Sequence, residues 1–182
     1  MKQGGGKGKG GEFERLICKK LSLWITNGNR LDIFWRTAIS GGRATIGMKS
    51  GKFYKSQMGD IGSISHEGEP LLNKFIIECK YYKNLHLLDF VYSISNPECK
   101  GPSKLFWKKL QIDAEKIKRL PMLIMKENRK PILIGLNREG FSFFSEYCDL
   151  KADTIFKKND LYLFDLDTFI DLIDPTVLEI KN

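Results

Sequence analysis

Apolar positions along the chain recur with two different periods, and the changes of period mark the elements. From Glu12, the residues Phe13, Ile17, Leu21 and Trp24 recur every three or four positions while Arg15, Lys19 and Lys20 fall off that line, which predicts a helix with one buried stripe. Asn27-Gly28-Asn29 ends it. Ser103–Arg119 predicts a second helix, with Leu105, Phe106, Leu110, Ala114 and Ile117 as its stripe and Lys104, Lys108, Lys109, Lys116 and Lys118 on the remaining surface. Between them, Leu31–Ile39 reads as a strand broken by Ser40-Gly41-Gly42, and the Gly/Lys/Ser-rich stretch to Gly59 has no period and reads as a loop. Asp60–Ser65 and Lys74–Tyr82 predict two strands joined as a hairpin by His66-Glu67-Gly68-Glu69-Pro70. Asn84–Ser95 predicts a short helix stopped by Pro97.

Downstream, Pro121–Met125 and Pro131–Leu136 predict strands around Glu127-Asn128-Arg129-Lys130, followed by a strand at Tyr162–Phe164 and a short helix near Asp167. This order predicts an α/β fold with a central mixed β-sheet flanked by helices. Residues 1–11, rich in glycine and lysine, have no apolar side chain after Met1 and are expected as a flexible tail. Residues 12–140 then form the core, and residues 141–182 an acidic C-terminal extension packed on the same domain. A chain of 182 residues is long enough for one such domain.

Charge adds a partner to this picture. The net charge of +8 is uneven: residues 1–59 hold twelve Lys/Arg against three Asp/Glu, residues 60–139 fourteen against ten, and residues 140–182 four against nine. A basic front favours a polyanion, because neutralising phosphates releases counterions. No run approaches the roughly 18 apolar residues of a membrane span, and the start lacks the apolar stretch of a signal peptide, so a cytoplasmic protein is expected. Cys18, Cys79, Cys99 and Cys148 have no CxxC spacing and are expected as free thiols rather than zinc ligands with His66 and His86. No P-loop is present, and no organic cofactor is expected. Asp165, Asp167, Asp171 and Asp174 lack the glycine and terminal glutamate of a calcium loop and read as helix-start and surface charges.

The chemistry concentrates in Gly59-Asp60 and the strand Phe75-Ile76-Ile77-Glu78-Cys79-Lys80. Alternation puts Glu78 and Lys80 on one strand face at about 7 Å and turns Phe75, Ile77 and Cys79 to the core. If the register brings Asp60 beside Glu78, two carboxylates converge, with the Cys79 carbonyl as a third oxygen for a hard divalent cation. Phosphodiester hydrolysis needs an activated water and neutralisation of charge at phosphorus, which such a cation and Lys80 supply together. ExK spacing by itself is common, and an ordinary exposed cross-face pair would look the same.

These residues resemble the PD-(D/E)XK motif of the restriction-endonuclease-like superfamily, in which the Asp and Glu bind metal and the Lys is catalytic. Gly10-Gly11-Glu12-Phe13-Glu14-Arg15-Leu16-Ile17 is similar to the first helix of Holliday junction resolvases and related phage or archaeal nucleases, with Glu14 at the acidic position. Phe34–Gly42 resembles their next strand, with Ser40 near the scissile phosphate. The resemblance implies a restriction-endonuclease-like core and a Mg²⁺-dependent DNA endonuclease, with Mn²⁺ able to substitute. Glu14, Asp60, Glu78 and the Cys79 carbonyl would hold the metal and Lys80 would assist attack.

Arg36, Ser40, Arg43, Lys49, Lys52, Lys55 and Lys83 are the candidate DNA contacts. Branched DNA of two-fold symmetry would require a homodimer. Met58-Gly59 stands where proline usually precedes the aspartate, and the Arg43–Gly59 insertion and the acidic tail have no counterpart in compact resolvases, so substrate geometry does not carry over. A catalytically inactive DNA-binding module, or a restriction or phage-processing nuclease acting on linear duplex, are the alternatives. Two aromatics remain open: Trp107 is expected in the core rather than as a base-stacking residue, and His86 is expected to pack on a helix.

Overall fold

The computed structural model describes residues 5–37, 58–84, 86–96, 102–151, 153–158 and 160–180. Helices α1 (Gly5–Ile25), α2 (Glu69–Lys74), α3 (Leu87–Ser95), α4 (Pro102–Ile117), α5 (Arg138–Ser145) and α6 (Leu166–Leu172) surround strands β1 (Phe34–Arg36), β2 (Ile61–Ser63), β3 (Phe75–Tyr82), β4 (Leu120–Glu127), β5 (Ile132–Leu136), β6 (Phe156–Lys158) and β7 (Leu161–Asp165). Five strands form one mixed sheet in the order β3-β4-β5-β7-β6. Only β3 and β4 run parallel, because the chain crosses from one to the other through α3 and α4, whereas the other neighbours pair antiparallel. The expected central mixed sheet flanked by helices is what the chain forms.

Alternation along β3 divides the core into two layers. Phe75, Ile77 and Cys79 meet Phe13, Ile17 and Leu21 of α1, Phe143 and Phe144 of α5 and Phe169 of α6. Ile76 faces the other way, with Phe90 of α3 and Trp107, Leu110, Ala114 and Ile117 of α4. The buried line of α4 therefore runs through Trp107, and Leu105, expected on the stripe, is 65% exposed. The core role expected for Trp107 holds.

Several expectations change. The segment expected as a tail is helical from Gly5 onward, prolonging a helix whose stripe at Phe13, Ile17, Leu21 and Trp24 is already buried; extending a formed helix costs less than starting one. β2 and β3 do not form a hairpin. β2 pairs antiparallel with β1 instead, and the polar segment after it coils into a 3₁₀ turn at His66–Gly68 and then α2, where Pro70 occupies the first turn of the helix. His86 is exposed, with a left-handed φ of 49° ahead of α3, rather than packed on a helix.

The C-terminal segment supplies β7, which pairs with β5, and closes on α1 through Trp24, whose Nε1 donates to the Ile173 carbonyl at 2.7 Å. Asp165 and Asp174 cap the elements that follow them, accepting from the backbone amides of Thr168 at 3.0 Å and Thr176 at 2.9 Å. Asp167 pairs with Lys20 of α1. The acidic residues there act as caps and surface charges. Among the described residues, no helix is long and apolar enough to cross a membrane.

Candidate active site

Asp60 lies beside the open edge of β3, held from three sides. Its amide donates to the Ile77 carbonyl at 2.8 Å, its carbonyl accepts from the Thr37 amide at 2.9 Å, and its Oδ2 accepts from the Cys79 amide at 2.8 Å. The side chain thus stands in for a neighbouring strand along β3. Thr37 fastens the preceding residue as well, its hydroxyl donating to the Gly59 carbonyl at 2.6 Å. Asp60 is 5% exposed. Sequence expected Asp60 to reach Glu78 through a hairpin; it arrives instead at the junction of the β1–β2 ribbon with β3.

Gly59 makes this approach feasible. Its φ is +87°, and a Cβ there would lie 2.7 Å from the Ile77 carbonyl oxygen. Proline, with φ locked near −65°, cannot take this conformation. The departure from the proline-aspartate pattern is therefore a consequence of how closely this turn meets β3.

Glu78 and Lys80 share the α4 face of β3, with side chains 25% and 23% exposed, and their charged ends form an ion pair. The Lys80 ammonium also lies 3.5 Å from the Cys79 carbonyl. Burial, then the nearby Asp60 charge, pushes the Glu78 carboxyl up despite the opposing effect of Lys80. For Lys80, burial pulls the ammonium down, but Glu78 and Asp60 outweigh it and the net shift is upward. Lys80 is therefore a fixed cation at neutral pH rather than a proton acceptor.

Beyond the effect of burial, Glu14 of α1 is near enough to Cys79 for its charge, like those of Asp60 and Glu78, to raise that thiol. It pairs with Arg36 at 2.8 Å on the α1 side, where Gly11 leaves room for the guanidinium: a Cβ at Gly11 would meet Arg36 Nη1 at 3.1 Å. The buried hydroxyl of Ser22, which sequence reading passed over, accepts from the amides of Ile33 and Phe34 at 3.1 Å each and so aligns β1, and with it Arg36, against α1. Among the described residues, no group of three or more His, Cys, Asp or Glu side chains gathers closely enough to hold a metal ion. The structure thus joins Asp60, Glu78 and Lys80 and pairs Glu14 with Arg36.

Cys18, Cys79 and Cys148 are free thiols. Burial first and Glu14 second push the Cys18 thiol up to about 12, and burial raises Cys79 well above its usual range. Neither is a ready nucleophile. Lys83 is exposed just past the end of β3. Ser40, Arg43, Lys49, Lys52 and Lys55 lie outside the described residues, as does Cys99. Sequence reading also did not single out Lys109 of α4, whose positive charge acts on Glu78 from across the face. A concavity of about 620 Å³ lined by Lys74, Gln111, Arg119 and Glu139 includes none of Asp60, Glu78 or Lys80.

A mixed sheet whose first strand carries a glutamate and a lysine two residues apart, with an aspartate brought to its edge, defines the PD-(D/E)XK class of nuclease folds. The chain belongs to the family described as "Phage putative PDDEXK endonuclease", whose model matches residues 5–179. No curated protein and no solved structure matches the chain.

Two outcomes follow from this geometry. Gly59→Ala introduces a Cβ against the Ile77 carbonyl at a positive φ, and denaturant unfolding will show a loss on the order of 1–3 kcal/mol; unchanged stability would mean that the turn relaxes freely. The raised Glu78 carboxyl makes the folded protein hold a proton that the unfolded chain has already released, so this group subtracts stability as pH rises past the usual glutamate value of 4.5. In EDTA, Glu78→Gln will melt a few degrees higher than wild type at pH 8, and the gap will close below pH 4.5. An equal or lower melting temperature at pH 8 would contradict the shift.

Proposed function

We propose that the chain is a Mg²⁺-dependent DNA endonuclease in which Asp60, Glu78 and the Cys79 carbonyl hold the cation and Lys80 assists attack on the phosphodiester. The observation that carries the reading is the pinning of Asp60 by the Cys79 amide next to the Glu78–Lys80 pair. The donor set fits a hard divalent ion: all three groups are oxygens, and the raised Glu78 carboxyl reflects buried negative charge short of compensation. When bound, such an ion lowers the pKa of a coordinated water and polarises a phosphoryl oxygen. Mn²⁺, with similar oxygen preference, is expected to substitute.

The chain's own groups supply the rest. Lys80, permanently charged, parts from Glu78 on substrate binding and faces the negative charge that develops at phosphorus. Water oxygen bonds to phosphorus as the bond to the 3′ oxygen breaks, leaving a 5′-phosphate and a 3′-hydroxyl. Arg36, oriented by Glu14, and exposed Lys83 contact flanking phosphates. Glu14 pairs with Arg36 through Oε2 alone, so we assign it to orienting that guanidinium and, through its second oxygen, to the metal ligands.

Branched DNA of the four-way type is the substrate we place first, supported by the order along the sequence of Glu14, Ser40, Asp60 and Glu78-Cys79-Lys80. Such a substrate calls for a homodimer with two active sites. Retention of both carboxylates and the lysine argues against an inactive DNA-binding module. The test is cleavage of labelled four-way junction, linear duplex and single-stranded DNA in Mg²⁺ or EDTA. Wild type will cut in Mg²⁺ alone, and Asp60→Ala and Lys80→Ala will each lose at least roughly 100-fold in rate, the size expected for an electrostatic catalytic group. Cutting that persists in either variant would remove these residues from the chemistry, and binding without cutting by wild type would favour the inactive module.

A further inference from the structure

Tyr81 and Tyr82 are neighbours in sequence with opposite surroundings. Tyr81 turns toward α1, with its ring centroid 5.8 Å from that of Phe13 and its hydroxyl donating to Asn128 Oδ1 at 3.1 Å. Tyr82 follows Glu78 and Lys80 onto the other face of β3, one strand repeat (about 7 Å) beyond Lys80. Its residue is 40% exposed, and its ring lies 6.2 Å and 17° from that of Phe106 on α4. Phe106 in turn stacks at 5.4 Å and 16° on Phe90, which is fully buried. Three near-parallel rings therefore run outward from the core and end in an exposed phenol beside the lysine of the active site.

Cations frame that end of the stack. Lys80 lies two residues before Tyr82 on the same face of β3, and Lys109 follows Phe106 by three residues, about one turn, on α4. A flat π face on a rigid backing, bordered by ammonium groups, matches a nucleobase with its attached phosphate. Bases inside a duplex are already covered on both faces, so an unpaired base fits and a paired one does not. Among the described residues the other exposed aromatics differ: Trp35 lies across Gly62 of its partner strand, Tyr92 is 66% exposed on α3, and Tyr147 meets Phe143 edge-on at 5.9 Å.

We infer that Tyr82 is a stacking subsite for one unpaired nucleobase of DNA, next to the phosphate that Lys80 faces. This rests on the nuclease reading for the identity of that phosphate, and it narrows the substrate to DNA with an unpaired base near the cut, as at a bulge, gap or branch point. Stacking of one base contributes roughly 10-fold to 100-fold in affinity.

The test uses the full chain in EDTA, so that nothing is cut, with DNA carrying 2-aminopurine either in a one-base bulge or paired in a duplex. Wild type will quench the bulged fluorophore and bind that DNA roughly 10-fold to 100-fold more tightly than Tyr82→Ala does. Tyr82→Leu, which keeps an apolar contact for Phe106 without a ring, will fail as Tyr82→Ala does, Tyr82→Phe will restore both readouts, and Tyr92→Ala will behave as wild type. Equal affinity and quenching in wild type, Tyr82→Ala and Tyr82→Leu would overturn the subsite. Parallel assays in Mg²⁺ separate the two readings. Cutting by wild type with binding indifferent to Tyr82 overturns the subsite and keeps the nuclease, whereas Tyr82-dependent quenching without cutting does the reverse. No binding by wild type overturns both.

Discussion

An edge strand leaves half of its backbone amides and carbonyls unpaired, and β3 meets this requirement with one residue of the chain that precedes it. Asp60 answers the Ile77 carbonyl with its amide and the Cys79 amide with its carboxylate, so backbone pairing and placement of the carboxylate are a single event. Everything around it serves that docking. Gly59 permits the approach by lacking a Cβ at a positive φ, Thr37 grips both Gly59 and Asp60, and the β1–β2 ribbon carries them. The strand amide rather than a flexible contact orients the carboxylate, which is the pre-organisation that the proposed chemistry requires.

The same arrangement works against stability. The Glu78 carboxylate, largely removed from water and close to Asp60, raises the free energy of the folded state, and Lys80 offsets only part of this, as the upward shift of Glu78 records. A neutral residue at position 78 would pack at lower electrostatic cost, which accords with the chemical role proposed for this cluster. The aromatic stack that ends in Tyr82 shows the complementary pattern. Phe90 and Phe106 lend rigidity from the core to a side chain that is itself open to solvent.

Much of this was legible in the sequence because it rests on local periodicity. The alternation that sends Glu78 and Lys80 to one face and Phe75, Ile77 and Cys79 to the other is a property of eight consecutive residues. The stripe of α1 is read in the same way. The pairing of β1 with β2 was not legible, since it joins segments 24 residues apart whose partners are chosen by tertiary packing. The α2 helix was hidden in six residues, Glu69–Lys74, too few to show a period and with a proline near the start that serves equally in a turn. Leu105 misled because it lies beside the true stripe, and Glu14 met Arg36 because helix position alone does not say which charge a neighbouring strand will present. The Tyr82 platform depends on rings from three separate elements and has no linear signature.

Mn²⁺ titration followed by electron paramagnetic resonance, comparing wild type with Asp60→Asn at matched folding, addresses the centre directly. Asparagine keeps an oxygen for the Cys79 amide and removes only the charge. A metal centre built on Asp60 and Glu78 takes up one Mn²⁺ per wild-type chain and binds it at least about tenfold more weakly in the variant, the smallest loss expected when even an outer-shell partner is removed. Identical uptake by both proteins would place the metal elsewhere and contradict the role given to Asp60.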